Sequence, residues 1–340
     1  MMISSIVPSE YPQSFSVYSK DSLEKRFLLL HYASHMPLTN GYANIGDYVQ
    51  TIAVRHALQS IFDCLDFDWW DRDSLSFYDP LDKGSIRTCV MQAWLSHTDT
   101  FFPNERINPV WLSSHFSKDT KTFIQKVLCV RRSEKSFKFG VGCRDLSTLE
   151  FCRKQNIEAY LSRCLTLTLP RRENRDSQSE VIFVDVPEKF DQYLPKDWVS
   201  SAIRMSQRWI DCDHEHWSKS YNRAKEFLDV YSNRAKIVVT IGLHIASPCL
   251  AMGVPVILIA SDPDENLQRF SALDGLIRPY TYSDFEKGLV DFNPVSYDIE
   301  DLKCLLLKNL ELSIRQSWGE NVSLEVLEQI RKEIRDYKLI

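Results

Sequence analysis

The run Phe27-Leu28-Leu29-Leu30-His31-Tyr32-Ala33 is followed, past Gly46-Asp47, by Val49, Ile52, Ala53, Ala57 and Leu58. A continuous apolar stretch of strand length thus gives way to helical spacing, the mark of a buried strand leading into a helix. Strand-to-helix turns lie at the carboxyl ends of the strands in open α/β sheets, where ligands bind. Asp47 is expected at the helix cap, its carboxylate satisfying free backbone N–H groups. Asn44, Asp47 and Gln50 are then polar side chains at the mouth of a site.

The same alternation runs through the chain. Strands are expected at Arg26–Ala33, Ile86–Met91, Phe137–Gly142, Ala159–Leu169, Val181–Val186, Lys236–Thr240 and Val254–Ala260. Helices are expected at Gly46–Phe62, Lys121–Val130, Asp145–Gln155, Asp197–Trp209, Asn222–Ser232 and Ile245–Met252. The short connections around Asp145–Gln155 favour parallel strands. Arg171–Glu180 has no apolar residue and reads as a linker. The tail from Asp298 reads as helical, with Leu302, Leu305, Leu306 and Leu310 on one face. The expected architecture is α/β: two Rossmann-like domains facing across a cleft (GT-B-like), closed by C-terminal helices. Its boundaries are an extension at 1–24, an N-terminal domain at 25–170, the linker at 171–180, a C-terminal domain at 181–297 and helices at 298–340.

A length of 340 residues suits two cores. The net charge of −5 gives no general basic surface for nucleic acid, so an anionic substrate needs a local cluster of arginines. Nine scattered cysteines without a Cys-x-x-Cys pair read as reduced, buried small hydrophobes of a cytosolic protein. Met1–Lys20 lacks the basic start and apolar stretch of a secretory signal, and no run reaches the ~20 apolar residues of a membrane span. The expected location is cytoplasmic. The basic pairs Arg131-Arg132 and Arg171-Arg172 are expected to be solvated, able to meet the inner face of an anionic membrane peripherally.

Two further segments carry chemistry. In Gly140-Val141-Gly142-Cys143-Arg144-Asp145, glycines end a strand and a helix follows, so backbone N–H groups and the Arg144 guanidinium can hold a phosphate or carboxylate. An Arg-Asp ion pair that only stabilises the turn is the alternative. In Thr240-Ile241-Gly242-Leu243-His244-Ile245-Ala246-Ser247-Pro248, a strand ends and His244 falls at a helix start, as a cap, a packing residue or a catalyst. Asp211-Cys212-Asp213-His214-Glu215-His216 reads as a polar loop, because histidines two apart share no helix face. Phe67-Asp68-Trp69-Trp70-Asp71 is either core or a sugar-stacking surface.

Asn-x-Gly-Asp-x-x-Gln-x-x-Ala from Asn44 to Ala53, the Gly-x-Arg-Asp ending at Asp145, the Ser162–Leu169 segment and the Leu-His…Gly-x-Pro segment from Leu243 to Pro255 together resemble the polysaccharide pyruvyltransferase family. The resemblance covers about Arg26 to Tyr282. It implies transfer of a pyruvyl group from phosphoenolpyruvate, as co-substrate and without cofactor or metal, to a sugar of a polysaccharide or its lipid-linked precursor. The product is expected to be a cyclic ketal in exopolysaccharide or capsule biosynthesis. It implies His244 and Asp47 as catalytic residues, Arg144, Gly142 and Arg269 at the donor, and Asn44 and Gln50 at the acceptor; Arg163 is placed at the donor by a departure from the family pattern.

Two positions depart from the family pattern. Gly242 stands where the family carries arginine, and Arg163 where it carries glycine. Arg163 is therefore expected to restore across the cleft the charge missing at Gly242. Alternative readings are a GT-B glycosyltransferase using a nucleotide sugar, for which Asp264-Glu265 leaves an acidic ribose contact open, and a degenerate glycan-binding relative.

Overall fold

The computed structural model describes residues 27–32, 42–80, 85–95, 98–130 (side chains to 126), 137–173, 178–209, 216–260 and 268–339. The extension at 1–24, Arg131-Arg132, Asp211–Glu215 and Asp264-Glu265 lie outside them.

In chain order the elements are β1 (Phe27–His31), β2 (Ala43–Asn44), α1 (Ile45–Phe62), β3 (Asp68–Asp71), β4 (Arg87–Val90), β5 (Trp94–Leu95), β6 (Ile107–Val110), β7 (His115–Phe116) and α2 (Lys118–Val130). Then follow β8 (Val141–Cys143), α3 (Leu146–Lys154), β9 (Ala159–Leu161), β10 (Glu180–Val184), α4 (Lys196–Ser201), β11 (Ile203–Met205), β12 (Arg208–Trp209) and α5 (Trp217–Arg234). The last are β13 (Ala235–Thr240), α6 (Leu243–Met252), β14 (Val256–Ala260), β15 (Pro279–Thr281), α7 (Tyr282–Glu286), α8 (Glu300–Ser317) and α9 (Leu324–Asp336).

Two parallel sheets organise these elements. The first runs β3-β1-β4-β6 and the second β11-β10-β13-β14-β15. The second has the doubly wound order 2-1-3-4-5, whose switch point falls between β10 and β13. In the first sheet the corresponding point lies between β1 and β4. Near-continuous apolar strands such as Phe27-Leu28-Leu29-Leu30 and Val256-Ile257-Leu258-Ile259-Ala260 are buried, as parallel strands covered on both faces must be. One continuous cluster joins the first sheet to α1, α5, α6 and α8. A smaller cluster around Phe183, Phe190, Val239 and Ile257 fills the other face of the second sheet.

The two sheets are tied beside the helix that the sequence singles out. β2 pairs antiparallel with β12, Asn44 opposite Arg208, and Ile45 N donates to Gln207 O over 2.9 Å. Gly46 leaves room for this approach: a Cβ would stand 2.8 Å from Gln207 Oε1 and 3.1 Å from His244 Cβ, so Gln207 would have to move.

Three segments differ from the sequence reading. Phe137–Phe139 is a turn, closed by Gly140 N donating to Phe137 O with Gly140 at φ +76°, and the strand begins only at Val141. The Phe-Lys-Phe alternation mimics a strand, but Phe137 packs on Trp111 with ring centres 5.0 Å apart. Ala159–Leu169 divides: after β9, Arg163 at φ +56° turns the chain, and Leu165–Thr168 is a buried 3₁₀ turn. Asp197–Trp209 yields one short helix and two strands, because Ile203–Met205 takes the open edge beside β10. Phe67–Asp71 takes the core alternative: Phe67 is buried, and on strand β3 Trp69 stacks on Trp217 while Trp70 Nε1 donates to Ser74 O.

The supposed linker is not free at its ends. Arg172 donates to Ala235 O and, through its backbone, to Met252 O, while Arg171 donates to Tyr297 O and pairs with Asp298. Arg171 remains exposed, as expected, whereas Arg172 is half-buried. Cys64, Cys89, Cys143, Cys152, Cys164 and Cys249 are buried free thiols, but Cys304 is exposed. Among the described residues no helix is long and apolar enough to cross a membrane.

Candidate active site

α1 starts where Asn44 Oδ1 accepts from Gly46 N over 3.0 Å, so Asn44 and not Asp47 caps the helix. Asp47 is released from capping and turns inward, 3% exposed. Its Oδ1 accepts from Gln50 Nε2 at 3.1 Å, and Gln50 Oε1 in turn accepts from Arg144 Nη1 at 3.2 Å. Gln50 therefore joins the acid to the guanidinium and, fully buried, has its amide committed on both sides.

Arg144 follows β8 and is fixed by its N–H donating to Ser114 O over 2.9 Å. Its side chain is wholly buried. Nη1 also lies 3.1 Å from His244 Nε2. A guanidinium can only donate, so Nε2 accepts and His244 is the neutral tautomer with its proton on Nδ1. Nε and Nη2 of Arg144 are buried without a hydrogen-bond partner. Buried guanidinium N–H groups left unmade are costly, and here they mark capacity for an anion.

His244 owes its placement to Pro248. In α6 the carbonyl of His244 would accept from the N–H four residues on, which proline lacks. His244 departs from helical geometry (φ −81°, ψ 15°), and Gln207 Nε2 donates to its carbonyl over 3.4 Å. Gln207 is held by its own N–H donating to Asp185 Oδ2 at 3.0 Å, beyond the end of β10. The imidazole thus sits at the switch point of the second sheet. Burial first, then the charge of Arg144 and Arg269, pulls its pKa well below the ordinary histidine value.

Burial also raises the Asp47 carboxyl, against the pull of Arg72 and Arg144. Arg72 is itself buried and forked onto Asp73 (Nε–Oδ1 3.1 Å, Nη2–Oδ2 2.7 Å). Arg269 lies with its guanidinium carbon 4.9 Å from the centre of the Trp94 ring, and its charge reaches Asp47, His115 and His244.

Asp145 caps α3, accepting from Thr148 N and Oγ1 at 3.0 Å each. Its other oxygen lies 2.5 Å from His115 Nδ1 and 3.6 Å from Arg144 Nε. Burial acts to raise this carboxyl, but His115, Arg144 and the Thr148 N–H together hold it well below the usual range. His115 is lowered by burial and remains neutral, donating Nδ1–H to the carboxylate.

Asp47, Gln50, Arg144, His244 and Arg269 are therefore brought together, with Asn44 beside them. Gly142 and Arg163 serve elsewhere. The Gly142 N–H donates to Trp111 O and its carbonyl accepts from Ser114 N, so this backbone is spent on strand pairing. A Cβ there would meet Ser162 and the Tyr160 hydroxyl at 3.0 Å. Arg163 does not replace a charge lost at Gly242. Its guanidinium donates to Ile334 O, Ala272 O, Asp274 O and Tyr337 O at 2.8–3.2 Å, tying down the end of α9. It lines a separate cavity of about 490 Å³ with Asp274, Arg278, Arg335 and Lys338.

His115, Arg72 and Gln207 join the site without a sequence signal. Ser113-Ser114-His115-Phe116 has no diagnostic spacing, and it is the parallel bridge between Ser114 and Cys143 that brings His115 to Asp145. Among the described residues no group of three His, Cys, Asp or Glu side chains is arranged to hold a metal ion.

No curated protein and no solved structure gives a significant match to the chain. The family profile described as Polysaccharide pyruvyl transferase matches residues 44–263, beginning at the Asn44 cap and taking in Arg144 and His244. This span covers well over half of the sequence, and the chain belongs to the polysaccharide pyruvyl transferase family, a family of transferases acting on saccharide acceptors.

Proposed function

We propose that the donor is phosphoenolpyruvate, bound by Arg144 with Arg269 beside it, and that the product is a cyclic pyruvyl ketal on a saccharide of a surface polysaccharide or its lipid-linked precursor. The carrying observation is a fully buried guanidinium with two unpartnered N–H positions touching a neutral imidazole. A small dianion carrying phosphate and carboxylate fits such donors in bidentate fashion. Phosphoenolpyruvate is a cytosolic metabolite, which supports a cytoplasmic site of action, at the membrane if the acceptor is lipid-linked.

The reaction needs an acid and a base, and burial favours the protonated form of Asp47 and the neutral form of His244. Asp47, raised by burial, delivers a proton to C3 as the enol double bond opens. The acceptor hydroxyl oxygen bonds to C2 and its proton passes to His244 Nε2, released as the donor draws Arg144 toward itself. A phosphoketal results. A second hydroxyl then bonds to C2, the C2–O bond to phosphate breaks with its electron pair leaving on phosphate, and the second proton leaves with it.

We further place the site between two Rossmann-like lobes in a GT-B-like arrangement, 25–170 and 181–297, with 298–340 closing over them. In support, Arg144 and Gln50 come from the first half and His244 from the second. The test is mass spectrometry of surface glycan incubated with protein and phosphoenolpyruvate. A gain of one pyruvyl ketal with release of one phosphate is expected. Unchanged glycan, with turnover of a nucleotide sugar instead, would overturn the reading.

A further inference from the structure

Asp145 lies between His115 and Arg144. One oxygen of Asp145 is filled by Thr148 N and Oγ1. The other, Oδ2, has two suitors: His115 Nδ1 at 2.5 Å and Arg144 Nε at 3.6 Å. Arg144 Nε is buried and has no hydrogen-bond partner, so a shift of under an ångström onto Oδ2 would satisfy it. His115 stands in the way. It is anchored by its N–H donating to Ala93 O over 3.0 Å and by the pairing of β7 with β5, and its ring meets Trp94 edge-on at 5.2 Å. The Trp94 face in turn carries Arg269.

We infer that His115 is a positioning residue for donor binding: by occupying Asp145 Oδ2 it stops the Arg144 guanidinium collapsing onto its neighbouring carboxylate and keeps Nε and Nη2 available to an anion. A direct Arg144–Asp145 pair would satisfy the same buried groups internally and leave the donor to compete with a carboxylate for them. This rests on the donor reading above and adds to it a residue that touches neither Arg144 nor the donor.

Phosphoenolpyruvate and inorganic phosphate are titrated calorimetrically into the full chain and its variants. His115→Leu removes the competitor and is expected to weaken both ligands by about tenfold or more. His115→Asn, which keeps an N–H near the Nδ1 position, is expected to stay within about threefold of wild type. Asp145→Asn keeps the helix cap but removes the competing charge. It is expected to bind phosphoenolpyruvate at least as tightly as wild type and, combined with His115→Leu, to restore what that variant loses. A merely structural histidine would not be rescued in this way. If His115→Leu does not fold, weaker binding by Asp145→Asn alone overturns the inference, and binding at least as tight supports it. Wild-type affinity in His115→Leu, or no rescue in the double variant, also overturns it. Arg144→Gln separates the two levels: if it binds phosphoenolpyruvate like wild type, the donor reading itself fails. If Arg144→Gln loses the ligand while His115→Leu keeps it, only the role of His115 fails.

Discussion

Arg163 offers the sharpest separation between a structural and a substrate-binding guanidinium. Four carbonyls accept from it at 2.8–3.2 Å, two of them on the last turn of α9 and just beyond it. These are carbonyls that a helix end leaves orphaned. At about 1 kcal/mol net per bond, Arg163→Ala should cost about 4 kcal/mol. Arg163 also holds φ +56°, a conformation that glycine adopts without penalty. Arg163→Gly should therefore recover about 1 kcal/mol and cost about 3 kcal/mol. An unfolding entropy of about 0.7 kcal/mol/K for a chain of 340 residues converts these to Tm losses of about 6 °C and about 4 °C. Scanning calorimetry reads both, and hydrogen exchange should place the lost protection in Leu324–Asp336. Phosphoenolpyruvate affinity should stay at its wild-type value. A variant that melts like wild type but binds the donor weakly would refute the assignment and return Arg163 to the site.

Pro248→Ala restores an N–H that can donate to His244 O, so α6 should gain about 1–3 kcal/mol of stability. The same change draws His244 into regular helix and should slow transfer by about tenfold or more; a stabilised variant with unchanged kcat would refute the link between proline and imidazole. His244→Gln should lower kcat by about 10²–10⁴-fold with donor affinity little altered, and turnover near wild type would remove His244 from the chemistry. Stability should fall with acid. Burial holds His31 at about 4 against the pull of Asp71, and burial with Arg144 and Arg269 lowers His244. Because the unfolded chain takes up these protons first, stability is intact above pH 6.5 and is lost as pH falls from there toward the folded values. His31 alone accounts for about 3 kcal/mol by pH 4, partly offset by Asp47, which is raised and protonates first in the folded state. A Tm that is flat between pH 6.5 and pH 4 would contradict this.

Parallel-sheet strands with strong apolar runs were legible because burial on both faces leaves little freedom: β1, β10, β13 and β14 all fall where the pattern puts them. Short segments decided by partners were not. Ile203–Met205 became a strand because β10 had an open edge, and Leu165–Thr168 left the extended state because Arg163 turned the chain to reach the α9 carbonyls. In the site, Asp47, Arg144 and His244 were legible from three motifs, each a strand end leading into a helix. The cap was misplaced by three residues because Asn44 and Asp47 are both competent caps, and only the inward turn of Asp47 decides between them. Arg163 was misread because an arginine in a motif says nothing about which carbonyls surround it. His115 was invisible because its meaning comes from Asp145, thirty residues away.

The central claim is that the buried Arg144 guanidinium grips the anionic donor beside a neutral imidazole. Its most direct test is the affinity of Arg144→Gln for phosphoenolpyruvate, measured by titration calorimetry at neutral pH and physiological salt on protein that still unfolds cooperatively. Loss of two charge-assisted hydrogen bonds at about 1.5–3 kcal/mol each predicts at least about a hundredfold weaker binding. Binding within a few-fold of wild type would contradict the account.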